Sequence, residues 1–359
     1  MTSSPDTPIA DGIPPIASLD APALSERLTS LLDHKTKPLR ALGRLEDLAH
    51  QLGRILGSTA PALTAPQALV FAADHGLARQ GVSAYPADVT WQMVRNMLAG
   101  GAAISVLTRQ HGIALKLIDC GVAQALPPHP DLMNCKVATG TADASEQPAM
   151  TAEQCAQAIA AGRRAVQAVP GNAVLLGEMG IGNTSAAALL LARLIDQPVE
   201  ACAGAGTGVQ GEAFARKLQV LRKVLARHAG AHAPLDVLAA MGGLEIAGMV
   251  GAILQAALER RVIVVDGFVT SAAVLVAARL QPNVLQRCVF SHLSHEQGHR
   301  LMLDAMGVRA LLQMDMRLGE GSGAALAWPL LESACRILRE MASFESAQVS
   351  GQTSNQSIP

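Results

Sequence analysis

Aromatic side chains make up only 2% of the 359 residues, and Tyr85 is the sole tyrosine, so the chain lacks the ring platforms on which single-stranded nucleic acids stack. It also lacks an excess of either charge. With 28 Lys and Arg against 29 Asp and Glu, no global positive field exists to hold DNA or an acidic membrane, and any anion bound should be small and held locally. The six cysteines, Cys120, Cys135, Cys155, Cys202, Cys288 and Cys335, form neither a CxxC pair nor a regular framework, which fits a reducing compartment. No basic-then-apolar leader opens the sequence. Apolar stretches such as Ile246–Leu258, bounded by Glu245 and Glu259, fall short of the roughly 20 residues of a membrane span. The expectation is a cytoplasmic protein with neither membrane nor nucleic acid as partner.

What the chain has is apolar material, 50% of its residues, which is ample for a large core. Its distribution repeats one pattern: a short run rich in Val, Ile or Leu, a break with Gly and a polar residue, then an alanine-rich helical stretch. The runs are Ala68–Ala72 before Asp74-His75-Gly76, Ala114–Ile118 before Asp119-Cys120-Gly121, and Ala173–Leu176 before Gly177-Glu178-Met179-Gly180. Further on come Val237–Ala240 before Met241-Gly242-Gly243, Val262–Val265 before Asp266-Gly267, and Arg309–Gln313 before the loop of Glu320. Strands covered on both faces read as unbroken apolar runs, and their alternation with helices implies parallel pairing, hence a three-layer α/β domain. Residues 23–56 read as helical with a break at Pro38, and 324–341 as a long final helix. Pro127–Pro148 reads as a surface excursion, and the polar chain ends as mobile tails.

In such sheets ligands bind beyond the carboxyl ends of the strands, where the glycine-rich clusters fall. Gly177–Thr184, ahead of an alanine-rich helix, could cradle a phosphate on free N–H groups or be an ordinary tight turn; its spacing is neither a dinucleotide fingerprint nor a P-loop. Gly204–Gly208 lies upstream of Lys217, a phosphate or carboxylate ligand or simply a solvated lysine. In Arg317–Gly323 the single carboxylate of Glu320 sits among glycines, either as a general base exposed to a substrate or as a helix-stabilising acid. His292, His295 and His299, at spacings of three and four, allow a metal site or a polar substrate loop; Asp74-His75 allows a metal or acid/base pair, or an Asp that satisfies loop N–H groups.

Taken together, the motifs resemble one family. FAADHGLARQGVSAYPADVTWQMV from Phe71, GEMGIGNTSAAAL from Gly177, GTGV from Gly206, VVDGFVTSAAVL from Val264, SHLSHEQGH from Ser291 and RLGEGSGAAL from Arg317 are similar to nicotinate-nucleotide–dimethylbenzimidazole phosphoribosyltransferases, the CobT family, over residues 37–339. The resemblance implies transfer of phosphoribosyl from nicotinate mononucleotide to 5,6-dimethylbenzimidazole, giving α-ribazole 5′-phosphate for the lower ligand of cobalamin, with no metal or organic cofactor. It implies a Rossmann-like parallel sheet with a smaller helical domain formed by both chain ends, and a homodimer. On this sequence that puts a tail at 1–25, small-domain helix at 26–60, the catalytic α/β domain at 61–322, a C-terminal small-domain helix at 323–345 and a tail at 346–359.

By the same matching, Glu320 stands at the family's general base. Glu178 and Lys217 fall on active-site positions, and Gly180, Gly182, Asn183 and Gly206 would line the nucleotide phosphate, with Ser291 and His292 beside them. Tyr85, Met93 and Met179 would form the base pocket, where a ring and adaptable thioethers suit a planar heterocycle. Two stretches depart from the family pattern, residues 37–46 (KPLRALGRLE) and 209–212 (VQGE). Rival readings are a related transferase for adenine or a phenol, a silent nucleotide-binding sensor and a Rossmann dehydrogenase; the last lacks the glycine spacing.

Overall fold

The computed structural model describes residues 13–350 apart from Thr207. These fall into two units, one of residues 13–18 with Thr64–Ala327, the other of Leu19–Leu63 with residues 328–350.

The larger unit is an α/β fold around a six-stranded, wholly parallel sheet. Its strands are β1 (Gln67–Ala73), β2 (Ala114–Gly121), β3 (Leu132–Asn134), β4 (Ala173–Met179), β5 (Val262–Val265) and β6 (Cys288–Phe290), in the order β3-β2-β1-β4-β5-β6. Every residue of β1 and β5 is buried, as expected of strands covered on both faces. The chain leaves β1 towards one edge and β4 towards the other, so the order reverses between these two neighbours, the place where sheets of this kind hold a ligand crevice at the carboxyl ends. A separate parallel pair joins β7 (His292–Leu293) to β8 (Leu312–Gln313).

The apolar stretch from Ile246 lies in helix Leu244–Leu258, buried on nearly all sides against helix Ala152–Gln167. Glycine explains how two helix backbones approach so closely: a Cβ on Gly162 would overlap the carbonyl oxygen of Gly248, and one on Gly251 that of Ile159. Among the described residues no helix is long and apolar enough to cross a membrane.

The smaller unit contains helices Pro22–Asp33 and Arg44–Leu56, and receives the end of helix Ser322–Glu340, which starts in the larger unit. Leu28, Leu32, Leu48, Leu52 and Ile55 are buried, and Gly53 lets the first two helices meet: its Cβ would stand 2.6 Å from Leu28 Cδ2. The chain ends are stitched where Lys35 donates to Met341 O at 2.6 Å and Thr36 N to Ala342 O at 3.0 Å. In the divergent stretch 37–46, Lys37 and Glu46 form a buried ion pair at 3.0 Å.

Several expectations need correction. Val237–Ala240 is not a strand but part of helix Pro234–Met241: four apolar residues carry no period, and Pro234 stands at the helix start, where its missing N–H costs nothing. Arg309–Gln313 gives only β8, outside the main sheet, whose remaining strands are the unforeseen β3 and β6, each three residues long. The supposed excursion Pro127–Pro148 thus contains an edge strand, and its Ala144 and Ser145 are buried. Of the expected tails, residues 1–12 and 351–359 lie outside the described residues. Residues 13–18 are held down, with Ile13 and Ile16 buried, Ile16 N donating to Gln281 Oε1 at 2.9 Å and Arg287 Nη2 to Ala17 O at 2.7 Å.

Candidate active site

Glu320 is set by backbone geometry first. Gly319, Glu320 and Gly321 have φ of 85°, 65° and 88°, three successive left-handed residues of which only the glutamate bears a Cβ. An L-residue there costs about 1–2 kcal/mol, so the surroundings must impose it. They do so from two strands. On β4, Gly177 has no Cβ, and one would lie within 2.6 Å of Gly321 N and overlap Glu320 O. Gly177 is thus a seat for the Glu320 turn, not a phosphate-facing glycine. From the end of β5, Asp266 Oδ2 accepts from Gly321 N at 3.1 Å, and Oδ1 accepts from Gly323 N at 2.7 Å and Ala324 N at 3.1 Å.

The Glu320 carboxyl is buried and accepts only a long 3.5 Å bond from Ile104 N. Burial raises its pKa above the ordinary value; the Ile104 N–H pulls it back and the Asp266 charge adds to the rise. Glu178, at the end of β4, packs against the same turn: a Cβ on Gly319 would overlap its Oε1. Burial raises Glu178 to about 8; the Asn183 Nδ2 donated to its Oε2 opposes the rise, and the charges of Asp266, Glu245 and Glu320 reinforce it. At neutral pH Glu178 therefore carries a proton and adds a neutral carboxyl, not a charge, beside Asp266 and Glu320.

A second cluster is basic. Gly182, at φ 99°, is the N-cap of helix Asn183–Leu194, whose first N–H groups and buried Asn183 face the carboxyl edge of the sheet. Gly180 is needed for close packing, since a Cβ there would lie 2.6 Å from Ala73 O. Lys217, 1% exposed, donates to Gly204 O at 3.0 Å. A side chain at Gly206 would meet Thr184 Oγ1 at 2.9 Å and Lys217 Nζ at 3.2 Å, so the structure brings Lys217, Gly206 and the start of the helix together. Arg317 Nη1 donates to Gly206 O at 3.0 Å. Burial lowers the Lys217 pKa, and the nearby Glu296 opposes the fall.

The histidines separate. His292 lies 3.6 Å from Asp266 Oδ1, and Ser291 Oγ donates to Asp266 O at 3.2 Å, so both belong with the Glu320 turn. His299 accepts from Ser294 N at 2.9 Å and shares a 2.9 Å bond with Ser271 Oγ; burial, with the His292 charge, lowers its pKa to about 3, so it is neutral. His295 is exposed, 3.8 Å from Asp315. His292 and His299 meet edge-on with ring centroids 6.4 Å apart while His295 stands away, and among the described residues no group of three or more His, Cys, Asp and Glu could hold a metal ion. At the other side of the crevice Asp74 accepts from Ala123 N at 2.7 Å, as a loop-satisfying acid does, and His75 pairs with Glu245 at 2.7 Å, both buried. Burial is the largest influence and opposes charge on His75, yet the charge and hydrogen bond of Glu245 and the charge of Asp74 together raise the pKa.

Met179 ends β4 half-buried, and Met93 is half-buried on helix Val89–Leu98, tied to the same place because Thr90 Oγ1 accepts from Ile181 N at 3.1 Å. Tyr85 is 55% exposed in the turn before that helix, where its backbone N–H donates to Ser83 Oγ at 3.3 Å. Sequence reasoning noted Asp266 as a strand-end residue but assigned it no role, and it missed Thr90 and the partner of His75. The signal for Asp266 is its place in VVDGF, directly after a fully buried strand.

Comparison with known proteins agrees on one relationship. A family model described as phosphoribosyltransferase matches residues 16–349. The nicotinate-nucleotide–dimethylbenzimidazole phosphoribosyltransferase of Variovorax paradoxus (strain S110) is 65% identical over 350 residues, 98% of this chain and 99% of that protein. Its namesake from Cupriavidus necator is 58% identical over 342 residues, 94% of this chain and 98% of the relative. The crystal structure of CobT from Thermus thermophilus superposes with a TM-score of 0.89 at 44% identity, covering 92% of this chain and 99% of that one. A parallel sheet of this order, with similarity of that extent along both chains, places the protein in the nicotinate-nucleotide–dimethylbenzimidazole phosphoribosyltransferase family of transferases.

Proposed function

We propose that the chain transfers the 5-phosphoribosyl group of nicotinate mononucleotide to 5,6-dimethylbenzimidazole, with Glu320 as general base. The observation that carries this reading is the Glu320 carboxyl itself: buried, held on a strained left-handed turn, and given almost no hydrogen-bond partner of its own. One benzimidazole nitrogen attacks C1′ of the ribose as the C1′–N bond to nicotinate breaks. The other nitrogen gives its proton to Glu320. The bonding electrons leave with the pyridinium ring, which becomes an uncharged pyridine and departs as nicotinate, and attack opposite the leaving group turns the β-nucleotide into the α-product in one displacement. No covalent enzyme intermediate is needed.

The electrostatics support the assignment. Positive charge lies on the pyridinium of the donor and spreads over the ribose as the bonds exchange, and the carboxylates of Asp266 and Glu320 favour it. The 5′-phosphate goes to the other cluster, at the helix start of Gly182 and Asn183 with Gly180, Gly206 and Lys217. Ser291 and His292 border the ribose side, and Met179 and Met93 face the heterocycle, with Tyr85 closing over it. The product serves the nucleotide loop of cobalamin. The protein acts as a cytoplasmic homodimer, in the two-domain arrangement expected from the sequence.

The test is a chromatographic assay of the purified protein with nicotinate mononucleotide and a panel of bases, following nicotinate and α-nucleotide. Product with dimethylbenzimidazole is expected; tight nucleotide binding with no product from any base would make the protein a silent sensor instead.

A further inference from the structure

We propose that Asp266 is the positioning residue for Glu320: its carboxylate gathers the N–H groups of Gly321, Gly323 and Ala324 and so holds the left-handed turn that presents the Glu320 carboxyl. The inference rests on the reading of Glu320 as general base. A helix start leaves several backbone N–H groups unpaired, and ordinarily the residue just before the helix caps them with its own side chain. Here that residue is Gly321, which has none, and helix Ser322–Glu340 is capped from 55 or more positions upstream. Both Asp266 oxygens are used and the group is 1% exposed, so these are charge-assisted bonds shielded from water.

The turn is thereby anchored to the end of β5 as well as seated on Gly177 of β4, and the glutamate between two glycines is held by neighbours with little sequence of its own. His292, 3.6 Å from Oδ1, lies beside Asp266 against Gly323 at the same helix start. The groups facing Glu320 are the Glu178 carboxyl from β4, Asp266 from β5 and the Ile104 N–H from helix Ala103–His111. Asp266 adds to the rise in the Glu320 pKa, so its charge has a second effect: it makes the base stronger. A plain helix cap would affect stability alone.

The two roles separate in the pH profile of kcat for the full-length chain. With Asp266→Asn, kcat should fall about 10- to 100-fold, with KM for nicotinate mononucleotide within about threefold of wild type. The acid limb should move to lower pH by about half a unit or more, because removing a nearby negative charge lowers the Glu320 pKa. In a double-mutant cycle, D266N should cost less than about threefold more in an E320Q background. A superimposable pH profile, or effects of D266N and E320Q that multiply, overturns the inference. If D266N does not fold, Asp266→Ser, uncharged but still offering an oxygen, is read in the same assay; failure of both to fold assigns Asp266 to the fold and overturns it equally. Absence of product from the wild-type chain would instead remove the reaction itself.

Discussion

Glycine does the same mechanical work in two places with opposite chemical results. Between helices Ala152–Gln167 and Leu244–Leu258, Gly162 and Gly251 let two backbones touch, and what surrounds them is mainly apolar, with Arg163 donating to Gln255 across the pair. At the carboxyl edge of the sheet, Gly177 and Gly319 permit equally close approach, but what they admit are the backbone of Glu320, which carries its carboxyl, and the carboxyl of Glu178. The first contact gains stability from burial. The second spends it, by desolvating acids and forcing Glu320 into a left-handed conformation. A missing Cβ therefore says that two segments approach, and the residues beside it say for what purpose.

The largest expected effect falls on the second region alone. Glu320→Gln should lower kcat by about 10²- to 10⁴-fold, about 3–5 kcal/mol in the barrier, while the melting temperature stays level or rises. Unchanged turnover with nucleotide binding intact would end the general-base assignment. The complementary change, Gly251→Ala, should cost about 3 kcal/mol in urea unfolding, since a methyl there displaces a carbonyl of the facing helix; turnover per folded molecule should persist. Were the packing variant inactive yet stable, the contrast between the regions would collapse.

Glu178 sharpens the contrast through pH. Its folded pKa of about 8 lies above the ordinary 4.5, so the folded protein holds a proton the unfolded chain releases. That contribution to stability is complete below the lower value and lost as pH rises through the upper one. Unfolding midpoints measured across this range should decline in wild type and decline less in Glu178→Gln; parallel curves would mean the group titrates normally. Lys217→Ala should raise KM for nicotinate mononucleotide about tenfold with a smaller change in kcat, as loss of a charged phosphate partner does. Smallest of all, His295→Ala should leave rate and stability unchanged, its ring being exposed and outside both regions.

How far the sequence discloses these features depends on the range of the interaction. Strands β1, β4 and β5 were legible because burial on both faces makes an unbroken apolar run, and Pro38 marked the break between the first two helices. Segments such as Val237–Ala240 and Cys288–Phe290 were not, since three or four apolar residues fit a helix or a strand, and only pairing with a distant neighbour decides. The candidate site shows the same division. Glu320 and Lys217 stand out within their own motifs, and the structure places each in a buried polar setting. The work of Asp266 is invisible locally because its partners are backbone N–H groups far along the chain, and a backbone donor leaves no mark on residue type. Tyr85 shows the reverse: a conspicuous residue whose environment is mostly solvent.

The left-handed glutamate has a consequence for how such a protein persists. Glycine is reached from a glutamate codon by a single nucleotide change, and a glycine in place of Glu320 would adopt the same φ without strain while removing a buried acid. The Glu320→Gly chain should melt at a higher temperature than wild type and catalyse nothing. On the general-base reading, mutation therefore drifts towards a better-folded, inert neighbour, and only the proposed reaction keeps the carboxyl in place.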